Sequence, residues 1–338
     1  MGKTVPDPDA EQVSHMIKGY WVSQIVGTLA VLGIPDRLAE STLASDELAK
    51  EIGCEPRATY RLLRAATSVG VVSAVTNGHF ALTPLGQKLR SNVPGSMRDT
   101  AIALTAPAHW LPWGRLADAI RRGERQTLST LGRELFEYYA ENRDEGRAFT
   151  GAMHYGSAFV AEEIARVLDT SRSEHVVDVG GASGTVIAAL LDKNPDLRGT
   201  ILELAHVVPR ARMALAERGL ASRCQVLEGD FFEAVPDADI HILKRVIHNW
   251  DDRQSVRVLS NCARGLRKNG QVVLLECVLP EDGCPSEAAL LDVNMLVLLP
   301  GCERTAAQFA DLLKAAGLRL DRITKTATPV QVIEASMQ

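Results

Sequence analysis

A histidine, an indole and two carboxylates follow an apolar run in the segment 239–252. The run Asp239–Leu243 is predicted to be a buried strand, and His248, Trp250 and Asp251 come shortly after it. In open α/β sheets, ligands bind beyond the carboxyl ends of the strands. Because the unperturbed pKa of histidine lies close to neutral pH, His248 is a candidate general base there. Taken singly, such a histidine is more often a helix-start or core residue.

A glycine-rich turn, Gly180–Gly184, follows the predicted strand Val176–Val179. Glycines let the backbone approach a ligand closely, and the helix that follows offers free N–H groups. The spacing differs from the G-x-G-x-x-G pattern of dinucleotide sites, and a tight turn without a ligand is the alternative. At the next two strand ends, Glu203 can accept ribose hydroxyls, and Asp230 with Phe231 can hold the edge and face of adenine. Together the three strand ends predict a nucleoside pocket, although each acidic residue alone can be a helix cap or a solvated charge.

Composition is that of a globular protein with about two domains. The chain has 338 residues, of which 46% are hydrophobic and 23% charged, and its net charge is −5. This charge argues against a nucleic-acid partner. The six cysteines form no C-x-x-C pair, so neither a zinc site nor a disulfide framework is indicated, and a cytoplasmic protein with reduced thiols is expected. The sequence shows no signal peptide, and its longest apolar stretch, Trp21–Ile34, is too short to span a membrane.

After a flexible segment at 1–10, residues 11–168 are predicted to be mostly helical. The first helix is apolar over a broad face. Such a face predicts burial against a second subunit or against the rest of the same domain, and both remain open. The apolar positions at helical spacing are Val13, Ile17, Tyr20, Trp21, Ile25 and Leu29.

Residues 45–89 have the layout of a winged helix. A serine-capped helix begins at Ser45, a second helix runs from Pro56 to Val69, and two strands flank the Asn77-Gly78 turn. One face of the second helix carries arginines that can meet phosphates, but acidic residues beside them favour a structural or dimerisation unit. A winged-helix regulator is the alternative from another class of protein. The arginines are Arg57, Arg61 and Arg64.

From 169 to 338, short apolar runs alternate with helical segments. This alternation predicts an α/β domain in which a mostly parallel sheet carries helices on both faces. The predicted strands are His175–Val179, Gly199–Leu204, Cys224–Leu227, Asp239–Leu243 and Gln271–Cys277.

In order and spacing, these motifs resemble those of the metal-independent O-methyltransferases that use S-adenosylmethionine. That family includes plant caffeic acid methyltransferases and bacterial enzymes that methylate polyketides and other aromatic natural products. The resemblance covers nearly the whole chain and implies a Rossmann-like class I methyltransferase domain at 169–338. It also implies a homodimer, formed by a winged-helix dimerisation and substrate-capping domain at 11–168. It is strongest in Asp178–Gly184, Gly229–Phe232, Leu243–Asp252, Leu275–Pro280 and Glu303–Thr305.

The resemblance assigns the chemistry to a histidine between two carboxylates, without a metal. His248 matches the general base, and Glu276 and Glu303 match its flanking carboxylates, which singly would be surface carboxylates or members of ion pairs. A phenol has a pKa of about 10, so a positioned imidazole is needed to take its proton near neutral pH. The carboxylates orient the ring and favour the imidazolium, and the phenolate attacks the methyl group of the sulfonium. An N- or C-methyltransferase of the same fold, or a regulator that senses the cofactor, is the alternative.

The resemblance also implies two binding sets. The cofactor set is Ser157, Asp178, Gly180, Glu203, Asp230, Phe231, Lys244 and Trp250. The set around a small aromatic acceptor is Trp110, Phe149, Met153, Leu291, Met295 and Leu299, with Trp113 as an additional candidate. The second set suits a flat apolar ring, and ordinary core packing is its alternative.

The chain departs from the family pattern at four places. Ala182 replaces a third glycine in the glycine loop, and Ala205 replaces a frequent proline after the ribose-binding acid. Asn249 stands where aspartate is common beside the histidine, which removes a negative charge near the sulfonium end of the cofactor. The segment Pro300–Cys302 before Glu303 is also unusual, and we expect it to reshape the substrate mouth.

Overall fold

The structure, a computed structural model, describes residues 7–155, 157–205 and 207–338. Residues 1–6 of the segment expected to be flexible lie outside these ranges. A helix begins at Pro8, within the segment expected to be flexible. Asp7 caps this first helix by accepting the N–H of Asp9 at 3.1 Å, and Pro8 occupies the first turn, where a missing N–H costs nothing.

Helices predominate up to residue 155, and strands alternate with helices beyond it. The first part contains α1 (Pro8–Val31), α2 (Ile34–Glu40), β1 (Leu43–Ala44), α3 (Ser45–Glu51), α4 (Pro56–Ser68), β2 (Val72–Ala74), β3 (His79–Leu82), α5 (Arg98–Thr105), α6 (Pro107–Trp113), α7 (Leu116–Arg122), α8 (Thr127–Leu131), α9 (Leu135–Glu141) and α10 (Arg143–Tyr155). The second contains α11 (Ser157–Val167), β4 (His175–Val179), α12 (Thr185–Lys193), β5 (Arg198–Glu203), α13 (Val208–Glu217), β6 (Cys224–Glu228), β7 (Ala238–Lys244), α14 (Asp252–Arg264), β8 (Leu266–Leu279), α15 (Glu287–Leu298), β9 (Arg304–Thr305), α16 (Ala306–Ala315), β10 (Leu318–Thr324) and β11 (Val330–Met337).

The chain divides into two compact units whose bounds differ from the expected boundary between 168 and 169. The first unit is Met1–Leu111 with Arg133–Tyr155, and the second is Pro112–Gly132 with Gly156–Gln338. Helix α11 belongs to the second unit because its apolar side chains join the core beneath α12. Residues 112–132 belong there too, and the N–H of Gln126 donates to the carbonyl of Val297 at 2.8 Å.

In the first unit, the winged-helix layout is present. Strands β1, β3 and β2 form an antiparallel sheet in that order, packed on a core that includes Leu48, Leu63 and Phe80. The hairpin turn differs from the expected two-residue turn, because Thr76–Gly78 forms one turn of 3₁₀ helix. The three arginines of α4 are exposed.

Helix α1 leaves most of its apolar face uncovered by its own chain. Met16, Ile17 and Trp21 are 69%, 68% and 52% exposed, and the buried residues lie only near the end of the helix. Packing within the same domain, which the sequence left open, therefore does not account for this face. No single helix among the described residues is long and apolar enough to cross a membrane. Among these residues, only the bent pair of α1 and α2 passes the length and composition test when its two helices are counted together.

In the second unit, the described strands form one sheet in the order β10-β11-β8-β7-β4-β5-β6, with β9 paired to β8. Strands β8, β7, β4, β5 and β6 are parallel, as predicted, whereas β11 and β10 run antiparallel at one edge. From β4 the chain proceeds outward to β6 and then returns to the other side of β4 as β7. This switch point places the loops after β4 and β7 side by side, where α/β sheets bind ligands.

Alternation along the strands builds one core on each face of the sheet. Val176 and Ile240 face a core with α11 and α12, whereas Val177 and Leu243 face a core with α14 and α16. The helices on both faces that the sequence predicts are therefore confirmed. Because these strands are packed between the two cores, the backbone positions from which the following side chains extend are fixed.

A buried histidine gives the first unit a pH-dependent stability. Burial lowers the pKa of His109 to about 4, and its Nδ1 lies 3.2 Å from the hydroxyl of Tyr139. Between the unfolded pKa of about 6.5 and the folded value, only the unfolded state binds the proton. The stability that the neutral imidazole contributes is therefore present above about pH 6.5 and is lost as the pH falls, by roughly 3 kcal/mol.

We expect the free energy of unfolding to fall by roughly 3 kcal/mol more in the wild type than in His109→Gln between about pH 7 and pH 4. Urea unfolding followed by circular dichroism measures this difference. Parallel pH profiles of the two proteins would contradict the assignment.

Candidate active site

The histidine turn lies directly after β7. Ile247–Asn249 form one turn of 3₁₀ helix, and His248 is buried at 6% exposure. Its Nδ1 lies 2.7 Å from Oε1 of Glu303, which is also buried. Because β9 begins directly after Glu303 and pairs with β8, the sheet brings together two residues that are far apart in sequence. Of the two carboxylates expected beside the ring, Glu303 makes the direct contact.

Glu276, on β8, makes a different contact from the expected one. Its Oε1 accepts the backbone N–H of Ile247 at 2.9 Å and that of His248 at 3.4 Å. Burial raises the pKa of Glu276, although the neighbouring His248 and Arg245 oppose the rise. Glu276 therefore fixes the backbone of the histidine turn, while Glu303 fixes the ring.

These three side chains also have the ligand types of a cation site. One nitrogen or oxygen from each of His248, Glu276 and Glu303 can be chosen so that all lie within 4.8 Å of one another. Oε2 of Glu276 and Oε2 of Glu303 are buried, and the described residues offer them no hydrogen-bond partner. The trio can thus either hold a divalent cation or orient a histidine for proton transfer.

The sequence reasoning missed two polar residues beside Glu303. Oδ1 of Asp292, on α15, accepts the N–H of Glu303 at 2.9 Å, and burial raises the pKa of Asp292. Arg304, which is 1% exposed, donates to carbonyl groups of the histidine turn. Its place directly after a candidate catalytic residue, within the motif Glu303–Thr305, was the available signal.

The glycine loop packs tightly on its own strand. Gly180 has φ of 69°, and a Cβ there would lie 3.2 Å from Cγ2 of Val246 and 3.5 Å from Cε1 of Phe231. A Cβ on Gly181 would lie 2.4 Å from the carboxyl carbon of Asp178. The loop therefore passes close to both the acidic end of β4 and the aromatic end of β6.

A buried carboxyl and a buried ammonium face this loop. Burial, with the charge of Glu203 adding to it, raises the pKa of Asp178 to about 7, although Lys244 opposes the rise. Burial likewise lowers the pKa of Lys244, whose Nζ donates to Oγ of Ser157 at 2.6 Å. Within the described residues, Oδ1 of Asp178 is buried without a partner. These polar groups are therefore available to a polar ligand.

The other predicted cofactor residues surround the same edge of the sheet. The carboxylate of Glu203 accepts the N–H of Ala182 at 2.8 Å and that of Leu204 at 3.1 Å. The ring of Phe231 lies 6.3 Å from that of Trp250. Nε1 of Trp250 is buried and has no partner among the described residues. Asp230 accepts a backbone N–H of its own turn at 2.8 Å.

The predicted acceptor residues form two groups in different units. Phe149 and Met153 lie one turn apart on α10 of the first unit, to which Trp110 also belongs, and Met153 is 53% exposed. In the second unit, α15 carries Leu291 and the buried Met295, and Leu299 directly follows it. The indole of the additional candidate, Trp113, donates to Oδ1 of Asn294 on α15 at 2.9 Å.

Two departures from the family pattern have local consequences. Ala182 has φ of 50°, in the left-handed region that favours glycine. The amide of Asn249 donates to the carbonyl of Arg245 at 2.9 Å, and Arg245 itself has φ of 56°. An aspartate at 249 cannot donate this hydrogen bond, so asparagine stabilises the strained residue before the histidine turn.

Comparisons with known proteins identify the class. Residues 14–92 match the O-methyltransferase dimerisation domain, and residues 113–319 match the O-methyltransferase domain. A phenazine O-methyltransferase of Lysobacter antibioticus is 36% identical over 322 residues, which cover 95% of this chain and 94% of that protein. The crystal structure of LaPhzM has a TM-score of 0.93 and 35% identity, covering 98% of this chain and 100% of its own.

A third comparison concerns ligands. The structure of an O-methyltransferase from neocarzinostatin biosynthesis holds S-adenosylmethionine and 2-hydroxy-5-methyl naphthoic acid. It has a TM-score of 0.83 and 29% identity, covering 94% of this chain and 96% of its own. The chain therefore belongs to the S-adenosylmethionine-dependent O-methyltransferase family, with a class I methyltransferase domain and an N-terminal helical dimerisation domain. This confirms the resemblance and the fold class that the motifs imply.

Replacing Ala182 by glycine should stabilise the protein. A non-glycine residue in the left-handed region costs roughly 1–2 kcal/mol, and the greater freedom of glycine in the unfolded chain offsets part of that gain. We expect the free energy of unfolding to rise by roughly 0.5–1 kcal/mol in urea. The affinity for S-adenosylmethionine, measured by calorimetry, should stay within about twofold because the N–H that bonds Glu203 is retained.

The matched control is Asn269→Gly, since Asn269 has φ of 63° on the surface and asparagine tolerates that conformation. We expect little change there. A loss of stability in Ala182→Gly would show that the alanine is not strained.

Proposed function

We propose that the protein methylates a phenolic hydroxyl of a small aromatic natural product, with His248 as general base and S-adenosylmethionine as methyl donor. The observation that carries this proposal is the 2.7 Å contact between Nδ1 of His248 and Glu303, buried at the end of β7 beside the glycine loop. A buried histidine hydrogen-bonded to a carboxylate at a switch point is arranged for proton transfer. The dimerisation domain and the exposed apolar face of α1 support a homodimer.

The residues around the glycine loop fit the cofactor. Without side chains, Gly180 and Gly181 let the loop pack closely on Val246 and Asp178 at the start of α12. Glu203 suits ribose hydroxyls, and Asp230 with Phe231 suits adenine. We assign the methionine end of the cofactor to four further side chains of the site, and among them Oδ1 of Asp178 is buried with no partner in the described residues. That group is Ser157, Asp178, Lys244 and Trp250. When bound, S-adenosylmethionine supplies an electrophilic methyl group on a sulfonium.

In this proposal, one ring nitrogen of His248 bonds the carboxylate and the other accepts the proton. Since Nδ1 is bonded to Glu303, Nε2 is the nitrogen that takes the proton of the acceptor hydroxyl. A phenol has a pKa of about 10, so removal of its proton near neutral pH requires such a base. The carboxylate of Glu303 stabilises the imidazolium that forms. The protein thereby generates the nucleophile next to the bound methyl donor.

We assign this histidine to proton transfer rather than to a metal. The short bond between Nδ1 and Glu303 uses the ring nitrogen and one carboxylate oxygen that a cation would need. Glu276 is occupied by the backbone N–H groups of the turn. Nδ1 of His248 and one oxygen of each carboxylate are thus used by hydrogen bonds within the protein, whereas Oε2 of both glutamates has no partner among the described residues.

Within each unit, the predicted acceptor residues are of apolar types that suit a flat aromatic ring. Leu291 and Met295 lie about one turn apart on α15, Leu299 directly follows that helix, and Phe149 and Met153 lie about one turn apart on α10. Relatives bear on the atom that is methylated. A 3-amino-4-hydroxybenzoate 4-O-methyltransferase of Streptomyces cremeus is 30% identical, and so is a phenazine-1-carboxylate N-methyltransferase of Pseudomonas aeruginosa. Nitrogen methylation is therefore the second candidate, and product mass spectrometry with positional assignment separates the two.

Replacing His248 by alanine should lower kcat by about 10²–10⁴-fold, because the general base is removed. The assay uses labelled S-adenosylmethionine with a panel of hydroxylated aromatics that includes 3-amino-4-hydroxybenzoate and a hydroxyphenazine. Calorimetric affinity for S-adenosylmethionine should change by less than about threefold, because the proposed cofactor contacts remain.

The same assay is run with and without EDTA. Unchanged turnover after chelation is expected of histidine catalysis, and loss that Mg²⁺ or Zn²⁺ restores would indicate a metal enzyme. Full activity in His248→Ala would sink the proposed mechanism while leaving the family assignment intact.

The two glutamates should respond differently to replacement by glutamine. Glu276→Gln retains a carbonyl oxygen for the N–H groups of Ile247 and His248, which are the contacts that Glu276 makes. We expect its kcat to stay within about threefold. Glu303→Gln removes the charge that stabilises the imidazolium, and we expect a loss of about 100-fold.

Steady-state kinetics of both variants near pH 7.5, with circular dichroism as the folding control, measures this contrast. Equal losses in the two variants would contradict the division of roles.

A further inference from the structure

The polar backbone of the histidine turn is buried. Ile247 is 0% and His248 is 6% exposed, so their N–H and C=O groups need partners within the protein. Glu276 satisfies the donors of both residues. The carbonyls of Ile247 and Trp250, which flank His248 on either side, require donors of their own.

Arg304 provides charged donors to both carbonyls. Its Nη1 donates to the carbonyl of Ile247 at 3.3 Å, and its Nη2 donates to the carbonyl of Trp250 at 2.9 Å. Nη2 and Nε also bond Oδ1 of Asp252 at 2.8 and 3.1 Å. The side chain of Asp252 is 78% exposed, whereas that of Arg304 is 1% exposed. Oγ of the buried Ser255 also lies 3.4 and 3.3 Å from these two carbonyls, and the N–H of Trp250 donates to that of Ile247 at 3.2 Å. These donors are neutral, whereas the guanidinium adds a charged donor that reaches both carbonyls at once.

Gly301 allows a close backbone contact with the same turn. A Cβ at this position would lie 1.9 Å from the carbonyl oxygen of His248 and 2.6 Å from the backbone nitrogen of Trp250. These neighbours are backbone atoms, so no side-chain rotation relieves the overlap. The backbone at Gly301 therefore packs directly against the backbone of the histidine turn.

We infer that the segment Gly301–Arg304 is a template that positions the catalytic histidine, with Gly301 and Arg304 as positioning residues. Gly301 sets how closely the two backbones approach, and Arg304 fixes the carbonyls before and after His248. Glu303, between them, then meets Nδ1 at 2.7 Å. The inference that this positioning serves catalysis rests on the proposed role of His248.

The chemistry at 304 requires arginine. The planar guanidinium presents five donors in a fixed fork, which suits two carbonyls and a carboxylate at once. A lysine offers the charge from a single point and cannot reach both flanking carbonyls in the same geometry. We therefore expect Arg304→Lys to restore only part of the function that Arg304→Met loses.

The test uses the full chain in three variants: Gly301→Ala, Arg304→Met and Arg304→Lys. Arg322→Lys is the matched control, since Arg322 pairs with Glu334 on strands away from the histidine turn. The first readout is the ¹⁵N-edited NMR signal of the ring N–H of His248 that bonds Glu303, assigned by its absence in His248→Ala. The second is the calorimetric affinity for S-adenosylmethionine, and the third is kcat and KM with an acceptor from the phenolic panel.

We expect the His248 ring signal to disappear or shift in Gly301→Ala and Arg304→Met and to persist in Arg322→Lys. The affinity for S-adenosylmethionine should stay within about threefold. Displacing the histidine by about 1 Å should lower kcat about 100-fold with a smaller effect on KM, and Arg304→Lys should lie between. Gly301→Ala is the decisive variant if Arg304→Met fails to fold, because it leaves the buried guanidinium in place.

An unchanged ring signal and kcat in folded Gly301→Ala would overturn the inference. The NMR signal requires no turnover, so the two proposals fail separately. A displaced ring with unchanged kcat would contradict catalysis by His248, whereas an undisplaced ring would contradict the template.

Discussion

The hydrogen bond between Nδ1 of His248 and Glu303 is the contact on which the site depends. It joins two buried side chains, and a buried carboxylate without such a partner is costly. The contact exists because parallel pairing aligns the ends of β7, β8 and β9. A change in the register of any of these strands would move the ring, the carboxylate or the turn between them. The α/β sheet thus determines where His248 and Glu303 lie, because it determines where its strands end.

Burial shifts the pKa values of ionisable groups at two places in the site. Beside the glycine loop, burial raises the pKa of Asp178 and lowers that of Lys244, and the charge of each group opposes the shift of the other. Beside His248, it raises the pKa of Glu276, which serves the turn as a hydrogen-bond acceptor. Glu303 alone bonds the ring. Two carboxylates near one histidine therefore differ in role because one meets backbone and the other meets the imidazole.

The sequence predicted those parts of the fold and site that follow from periodicity and from strand ends. The parallel strands, the helices on both faces and the glycine loop at the end of β4 were correctly placed. The edge strands β10 and β11 were not predicted, because short alternating runs at an edge carry a weak signal. The compact units include α11 with the sheet that follows, rather than ending the first part at 168, because the apolar side chains of α11 pack against α12.

Within the site, residue types were predictable and contacts were not. His248, Glu276 and Glu303 were named from their motifs, but no spacing shows that Glu276 bonds backbone while Glu303 bonds the ring. The contacts of Gly301 and Arg304 with the histidine turn were not predicted, because their partners are backbone atoms far away in the sequence. Backbone contacts leave no pattern of residue types, so only the tertiary structure reveals them.

The most direct measurement is a crystal structure of the protein with S-adenosylhomocysteine and a phenol that it methylates. If His248 is the base, the phenolic oxygen should lie within about 3 Å of Nε2 while Nδ1 remains bonded to Glu303. A phenolic oxygen held away from the imidazole, with Nε2 bonded to the protein instead, would contradict the central role of His248.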